Sequence, residues 1–312
     1  MIKTIQRHYL DTIPIIPRGR IMALGLFDGM HLGHEDIISK ATGLAEKAGI
    51  KCCVQTFAGF DKSGSGMLYT LEERIGLIEE LGADEVLILN FPDIKDMTAE
   101  DYCEKILRMS AGSVGVVMGF DYSFGKGGAG DTEFMKSFCE GADIGCRIVK
   151  ERDFEDTGRK CSTTWLKELL GEGDVATASK MCGGRNYFYS GTVAHGKQLG
   201  RKLGFPTANI VIPEEKFVVR RGVYAAKVTL GNRTLYGVAN VGRRPTVDND
   251  ERDIVETFIF DFDEDIYGAK IKTELIEFLR PEQSFSGTEE LASRVNEDKT
   301  RARQLLEQKG FI

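Results

Sequence analysis

The strongest constraint on the fold of this 312-residue chain is a change of sequence rhythm partway along it. From residue 20 to about 150, short β-rich runs alternate with helical patterns, which is the order that a parallel sheet covered by helices requires. This half therefore predicts a doubly wound α/β domain. Its predicted strands are Ile21 to Phe27, Lys51 to Phe57, Glu85 to Phe91 and Val114 to Phe120.

The sequence predicts both ends of one helix in this half. Thr70 and Glu73 have the spacing of a capping box, and Gly82 stands where a glycine commonly ends a helix. The apolar positions between them recur at helical spacing and are Leu71, Ile75, Ile78 and Leu81.

Past about residue 185 the pattern changes to antiparallel signals. A Gly231-Asn232 turn joins two β-rich runs, Gly222 to Leu230 and Thr234 to Val241, as in a β-hairpin. The remaining predicted elements are strands at Val255 to Phe262 and Lys270 to Phe278 and a charged helix from about Thr288 to Gln308. This half predicts a small antiparallel β-barrel with a C-terminal helix.

The boundary between the two halves is predicted near Gly183-Gly184, which gives domains of residues 1–183 and 184–312. It follows a helical stretch from Thr163 to Met181 that is interrupted at Gly171 to Gly173. A chain of 312 residues exceeds what a single core usually organises, so two domains are expected.

Charge and cysteine content narrow the function classes. The 41 basic and 48 acidic side chains give a net charge of −7, whereas proteins that bind nucleic acid normally carry a basic surface. Seven cysteines without a Cys-x-x-Cys spacing indicate reduced thiols, and neither a signal peptide nor a bilayer-spanning apolar run is present. We expect a cytoplasmic protein with small-molecule partners and no nucleic-acid or membrane partner. Its oligomeric state stays open.

A glycine-opened loop with two cations lies between residues 191 and 209. Gly196 and Gly200 permit close backbone approaches, and Arg201 and Lys202 add positive charge, so the loop suits nucleotide phosphates. The alternative is a glycine-rich barrel turn with a solvated basic tip.

Oxygen ligands follow this loop. Thr207 and Asn209 come after a proline and project to the same side of an extended segment. Such ligands suit Mg²⁺, which takes one or two protein ligands and fills its other positions with water and substrate phosphates.

Glu256 lies in a strand pattern with Phe258, Phe260 and Phe262 on its face. If these phenylalanines point inward, desolvation raises the pKa of Glu256 and makes it a better proton acceptor. The alternative is a solvated glutamate at the rim of the barrel.

Two of the four histidines of the chain stand at the end of the first predicted strand. His31 and His34 share a face of the first turn of the helix that follows, where the free N–H groups of a helix bind anions. Two imidazoles there can donate hydrogen bonds to a phosphate during nucleotidyl transfer. Metal binding is less favoured, because no third ligand is visible nearby.

The second half resembles riboflavin kinases, whose ATP and magnesium loop ends in Gly-Phe-Pro-Thr-Ala-Asn, as residues 204–209 do. The resemblance implies that Gly196 to Lys202 wraps the phosphates of the co-substrate ATP, that Thr207 and Asn209 hold Mg²⁺, and that Glu256 is the general base toward the ribityl 5′-hydroxyl of riboflavin. It also implies that Arg280 contacts the flavin or covers the site, the alternative being a surface charge. Further matching segments are 240–246, 265–268, 280–285 and Asp298.

The first half resembles the FMN adenylyltransferase module of bifunctional riboflavin kinase/FAD synthetases, in the segments 25–34, 71–74 and 119–125 and at Phe91. The resemblance implies a Rossmann-like, nucleotidyltransferase-like fold that converts FMN and ATP to FAD. It implies flavin contacts for Asp121 and Phe124, with a strand-end cap and an ordinary core ring as the alternatives. The nucleotide-binding residues implied are Gly25, Phe27, Asp28, Gly33, Ser162 and Thr163, beside His31 and His34.

Two departures from that module affect the adenylyl step. The family signature Ser-Ser-Thr-x-Ile-Arg, aligned with residues 161–166, places Leu166 at the arginine position, and a Thr-Phe-x-Pro stretch reads Thr-Phe-Ala-Gly at residues 56–59. Three hypotheses follow: a bifunctional enzyme, a kinase whose first domain is a scaffold or nucleotide sensor, and a non-catalytic flavin-binding regulatory protein.

Overall fold

The computed structural model describes residues 1–7, 19–59, 64–194, 205–245 and 251–312. Its internal contacts divide the chain into two compact units, Met1–Thr163 and Thr164–Ile312. Two helices, α6 (Thr163–Glu172) and α7 (Val175–Met181), precede the boundary predicted at Gly183-Gly184. Except for Thr163, the first residue of α6, the contacts place both helices in the second unit.

The first unit is built on a parallel sheet of six strands: β1 (Lys3–Arg7), β2 (Arg20–Leu24), β3 (Lys51–Ala58), β4 (Glu85–Asn90), β5 (Ser113–Gly119) and β6 (Gly145–Val149). Their spatial order is β1-β4-β3-β2-β5-β6. The order reverses at β2, so the carboxyl ends of β2 and β5 form the crevice where such sheets bind ligands. The predicted doubly wound sheet is confirmed, with β1 and β6 as additional strands.

Helices cover both faces of this sheet. They are α1 (Leu32–Ala48), α2 (Leu71–Glu80), the short α3 (Phe91–Ile94) and α4 (Ala99–Asp101), a π-helix (Tyr102–Ser110) and α5 (Thr132–Gly141). The capping box of α2 is confirmed: the Glu73 N–H donates to Thr70 Oγ1 at 3.3 Å, and the Thr70 N–H donates to Glu73 Oε2 at 3.0 Å. Gly82 follows with φ of 83°, as a helix end of this kind requires.

The second unit is built on six antiparallel strands: β7 (Phe188–Thr192), β8 (Ala208–Val211), β9 (Gly222–Leu230), β10 (Arg233–Pro245), β11 (Glu251–Ile259) and β12 (Lys270–Pro281). Their order is β7-β12-β9-β10-β11-β8. Leu230 pairs with Arg233, which confirms the predicted hairpin and its two-residue turn. The Ala194 N–H donates to the Asn209 carbonyl at 2.9 Å and brings the two outer strands together, so the sheet is a nearly closed barrel.

The C-terminal helix α8 (Thr288–Gln308) packs on one face of this sheet, where Ala302 and Leu306 join Val223 and Phe260 in an apolar cluster. Phe258 packs against the same cluster. The opposite face lines the barrel interior and carries Val255, Thr257 and Ile259, which are 0 %, 0 % and 4 % exposed. Phe258 and Phe260 therefore share the face of Glu256, as predicted, and they pack in the cluster that includes α8, whereas Phe262 lies beyond the end of β11. These two rings do not point into the barrel interior, which was the condition for placing Glu256 at the edge of that interior.

The interrupted helical stretch before the barrel is also confirmed. Gly173, with φ of 87°, separates α6 from α7, and the Asp174 side chain accepts a hydrogen bond from the Thr177 N–H at 3.0 Å. An aspartate in this position caps the new helix, so the chain turns between the two helices instead of continuing as one.

Candidate active sites

Three polar residues of the second unit lie opposite one another on adjacent strands. Glu256 of β11 pairs with Asn209 of β8 on one side and with Asn240 of β10 on the other. Residues directly opposite in an antiparallel pair project to the same face, with Cβ atoms about 5 Å apart. The structure therefore brings Asn209 and Glu256 together, although 47 positions of sequence separate them. We call Asn209, Glu256 and Asn240 the polar row.

Asn209 offers an oxygen that suits a cation. The residue is 7 % exposed, and its Nδ2 donates to the Thr207 carbonyl at 3.0 Å, which orients the amide. Its Oδ1 is buried and accepts no hydrogen bond from the described part of the chain. A buried amide oxygen without a donor fits Mg²⁺ coordination. Thr207 lies just before the first residue of β8, two positions from Asn209.

Gly196, Gly200, Arg201 and Lys202 lie outside the described residues, so their predicted phosphate contacts stay predictions. Ala194, the last residue described before them, donates its N–H to the carbonyl of Asn209 in the polar row. The chain is described again from Phe205, which is 9 % exposed and precedes Thr207 by two positions.

Arg280 lies in the same lateral line, because Asn240 pairs with Val223 and Val223 pairs with Arg280. Its guanidinium is bound to Asp298 of α8, with Nε 2.9 Å from Oδ1 and Nη2 2.6 Å from Oδ2. Arg280 and Asp298 are 8 % and 5 % exposed. In this structure Arg280 ties β12 to α8, and its predicted flavin contact stays a prediction.

The first unit has its own candidate site in the loop between β2 and α1. Strand β2 ends at Leu24, earlier than the predicted Phe27, because Phe27 and Met30 adopt φ of 55° and 44°. Both side chains are fully buried, so the surrounding packing holds this strained backbone in place. A Cβ at Gly25 would lie 2.8 Å from the Phe27 ring, which explains why glycine is needed there.

Asp28 has a role in holding this loop. The residue is 3 % exposed, and its Oδ1 accepts hydrogen bonds from the Leu68 and Tyr69 N–H groups at 2.8 and 3.4 Å. The carboxylate thereby joins the loop to the segment that leads into α2. Its predicted nucleotide contact stays a prediction.

The two imidazoles stack on each other at the N-terminus of α1. Their ring centroids are 3.8 Å apart at an interplanar angle of 20°, and within the described ranges neither Nδ1 has a hydrogen-bond partner. Burial lowers the pKa of His31 to about 4, and burial, His31 and Arg74 together lower the pKa of His34 well below its usual value. Both rings are therefore neutral near pH 7, and each offers one N–H donor to a ligand. A Cβ at Gly33 would lie 3.2 Å from the His31 ring.

A cation that the sequence analysis missed lies beside these histidines. Arg152 Nη1 is 3.5 Å from Asp36 Oδ2 on α1, and a Cβ at Gly33 would lie 3.8 Å from the Arg152 Cβ. The Cys161 N–H donates to the Arg152 carbonyl at 2.8 Å, so Ser162 and Thr163 follow directly after this pairing. The predicted nucleotide contacts of these two residues stay predictions.

The two predicted flavin contacts stand in different surroundings. Asp121 is exposed just beyond the end of β5. Phe124 is 6 % exposed, and its ring packs against those of Tyr102, Tyr122 and Phe134 in the core. Phe124 thus occupies the core position that was its alternative, and a flavin contact for either residue stays a prediction.

Burial affects how the family signature aligns with this chain. Leu166 is 1 % exposed in α6, an environment that fits the apolar position of Ser-Ser-Thr-x-Ile-Arg better than the arginine position. Moving the alignment one residue along matches residues 162–167 and places Lys167 at the arginine. Burial therefore favours a lysine there instead of the predicted leucine.

Among the described residues, no helix is long and apolar enough to cross a bilayer.

Comparison with known proteins links the two units to two enzyme families. The family model for riboflavin kinase matches residues 183–306, and the model for FAD synthetase matches residues 13–164. A solved chain from Streptococcus pneumoniae, described as a macrolide-efflux protein, superposes with a TM-score of 0.83 at 27% identity, covering 97% of this chain and 99% of that one.

Relatives of known activity are similar over nearly the whole chain. The bifunctional riboflavin kinase/FMN adenylyltransferase of Bacillus subtilis is 34% identical and covers 90% of this chain and 91% of its own length. Proteins of the same name from Listeria monocytogenes and Escherichia coli are each 31% identical, covering 95% and 96% of this chain and 96% of their own lengths. With both family models matched and relatives this similar over its length, the chain belongs to the bifunctional riboflavin kinase/FMN adenylyltransferase family.

Proposed function

We propose that this chain phosphorylates riboflavin to FMN in the barrel and adenylylates FMN to FAD in the α/β domain, using ATP for both steps. The observation that carries the kinase assignment is the register that places Asn209 and Glu256 side by side. We assign residues 1–183 and 184–312 to the two domains. The seven free cysteines support a location in the reducing cytoplasm.

In the kinase step, the 5′-hydroxyl oxygen of riboflavin forms a bond to the γ-phosphorus of ATP, and ADP leaves. Glu256 accepts the hydroxyl proton, which makes the oxygen a better nucleophile. Asn209 Oδ1 and the Thr207 oxygen would hold Mg²⁺ together with the ATP phosphates. The ion supplies neutralisation of the phosphate charge, on which phosphoryl transfer chiefly depends.

In the adenylyl step, a phosphate oxygen of FMN forms a bond to the α-phosphorus of ATP, and pyrophosphate leaves. Neutral His31 and His34 donate N–H groups to the phosphate oxygens, whose negative charge grows in the transition state. The burial of His31 and the partial burial of His34 fit this role, because donors in a dry and fixed site need no reorganisation when the reaction occurs.

A kinase without adenylyl transfer is the second candidate. Gly59 ends the segment that aligns with the Thr-Phe-x-Pro stretch, and its φ of 68° is closed to proline. The backbone therefore differs there from one that holds a proline. Lys167 in place of the signature arginine would also provide a point charge where a bidentate fork is usual.

One assay separates the candidates. Purified protein is incubated with riboflavin, ATP and Mg²⁺, and the flavins are resolved by chromatography. FAD supports both activities, FMN alone supports the kinase only, and unchanged riboflavin contradicts both. A parallel incubation with EDTA tests the metal: if FMN forms at the same rate without Mg²⁺, the assignment of Thr207 and Asn209 falls.

A further inference from the structure

Asn240 is the one member of the polar row for which the function proposed above gives no task. It lies on β10 directly opposite Glu256, on the side away from Asn209. Because both neighbours pair with Glu256, the three side chains leave the same face of the sheet in one line, about 5 Å apart. A ligand group bound at Glu256 on the side of Asn240 therefore lies within reach of Asn240.

The amide of Asn240 is available for a ligand. The residue is half-buried, and its side chain makes no hydrogen bond with any other residue that the structure describes. Asn209, by contrast, uses its Nδ2 to hold the Thr207 carbonyl. A carboxamide both donates and accepts hydrogen bonds, so an unpaired one suits a hydroxyl group, which does the same.

A second carboxylate closes the space beyond Asn240. Two residues along β10, a Cβ at Gly242 would overlap the Glu282 carboxylate and would come to 3.1 Å from Asn240 Nδ2. Glycine at 242 thus lets Glu282 pack against this strand next to the amide. Asn240 therefore has one carboxylate across the strand pair and another, exposed, beside its own strand.

We propose that Asn240 is a substrate-positioning residue of the kinase site, and that its amide binds the hydroxyl adjacent to the one that is phosphorylated. The inference rests on the proposed riboflavin kinase function. Adjacent carbons of a polyol are joined by a single bond of about 1.5 Å, so a terminal hydroxyl at Glu256 brings its neighbour toward Asn240. The contact fixes the acceptor chain and directs the terminal O–H at the Glu256 carboxylate.

This arrangement makes Asn240 a specificity determinant. A site that binds a substrate hydroxyl disfavours an analogue that lacks it, because the polar group of the protein is then left unpaired. The acceptors preferred would be polyols with two neighbouring hydroxyls at the free end. An acceptor whose terminal hydroxyl stands alone would be phosphorylated poorly.

The test compares Asn240→Ala and the unaltered enzyme on riboflavin and on an analogue without the ribityl 4′-hydroxyl. We expect each single change to lower kcat/KM for the flavin about 10- to 100-fold, and the two changes together to lower it no further. The dissociation constant for MgATP should stay unchanged, since Asn240 lies on the acceptor side of Glu256. A general structural defect would not depend on which acceptor is used.

Asn232→Ala is the matched control. This asparagine lies in the exposed Gly231-Asn232 turn of the same hairpin, at the far end of β10 from the polar row. Its kinetic constants should equal those of the unaltered enzyme on both acceptors. If Asn240→Ala does not fold, as judged by its melting curve, Asn240→Asp keeps the shape and repeats the comparison.

The outcomes separate the two proposals. Two results would refute the inference while the unaltered enzyme still makes FMN. Either the losses of kcat/KM caused by Asn240→Ala and by removal of the 4′-hydroxyl multiply, or one of these losses is absent; in both cases Asn240 does not bind that hydroxyl. If the unaltered enzyme makes no FMN at all, the kinase function itself is refuted, and the inference falls with it.

Discussion

Replacing Asp298 by alanine is expected to lower the free energy of unfolding of the second unit by about 3 to 5 kcal/mol, because a buried charge loses its partner. Arg280 and Asp298 are 8 % and 5 % exposed, so solvent screens their interaction little. Three hydrogen bonds join them, with Nε 2.9 and 3.0 Å from the two carboxylate oxygens and Nη2 2.6 Å from Oδ2. In the variant, the one hydrogen bond left between Arg280 and the described residues is the one that its Nη1 donates to the Pro281 carbonyl.

The single tryptophan of the chain provides the assay. Trp165 is 8 % exposed in α6, within the second unit, so its fluorescence reports the unfolding of this unit. With a urea dependence of about 2 kcal/mol per M, the loss corresponds to a shift of the unfolding midpoint by about 2 M. The change should leave the unfolding of the first unit, followed by circular dichroism, where it was.

A matched control uses an exposed pair. Arg233 lies 2.8 Å from Glu264, with side chains 48% and 54% exposed, and Glu264→Ala should cost less than about 1 kcal/mol because such pairs are screened. Replacing both partners of the buried pair with apolar residues, as in Arg280→Met with Asp298→Leu, should recover most of the loss. A loss below about 1 kcal/mol for Asp298→Ala would show that water or another group compensates Arg280, and the reasoning from burial would be refuted.

Four further outcomes are expected. Glu256→Gln should lower the rate of FMN formation about 10²- to 10⁴-fold while MgATP binding persists, and an unchanged rate in a stopped assay would remove Glu256 as the base. His31→Ala should abolish FAD formation and spare FMN formation; chromatography showing loss of both would contradict independent sites. Lys167→Arg should raise the rate of FAD formation by restoring a bidentate fork, and no gain would mean that another cation makes the contact. Burial alone would raise the pKa of Glu85, but the hydrogen bond and charge of Arg20 hold this pKa below its usual value of 4.5. The ionised Glu85 therefore contributes its full stabilisation above pH 4.5, and this contribution is lost as the pH falls through the lower pKa of the folded state. Urea unfolding between pH 6 and pH 3 should show a decline in stability that the Glu85→Gln variant lacks.

Local signals in the sequence predicted those elements whose causes are local. The capping box at Thr70 and Glu73 and the turn at Gly231-Asn232 each fix backbone geometry within a few residues, and both are present in the structure. The short edge strands β1 and β6 were not predicted, because five residues of mixed polarity carry too little periodicity to identify a strand.

The candidate sites were predictable only in part, because local spacing identifies some of their residues and distant contacts bring in the others. His31 and His34 could be identified because their spacing sets them on one helix face. Arg152 could not, since it meets Asp36 across 116 residues of chain. Strand alternation correctly grouped Glu256 with Phe258, but it cannot tell which face of a strand is covered by a helix that comes later in the chain.

The proposed kinase site and the fold of the barrel depend on the same register. The side-chain period of a strand is two, so a slip of one residue between β10 and β11 would turn Glu256 toward the interior face, where Val255 and Thr257 are fully buried. A carboxylate there would lose its solvation without gaining a partner, which is costly. Close approach of the strands also fixes the pairing, because a Cβ at Gly237 would overlap the Phe258 carbonyl. The packing that makes the slipped barrel unstable therefore also aligns Glu256 with Asn240, and this part of the proposed kinase site requires no separate determinant.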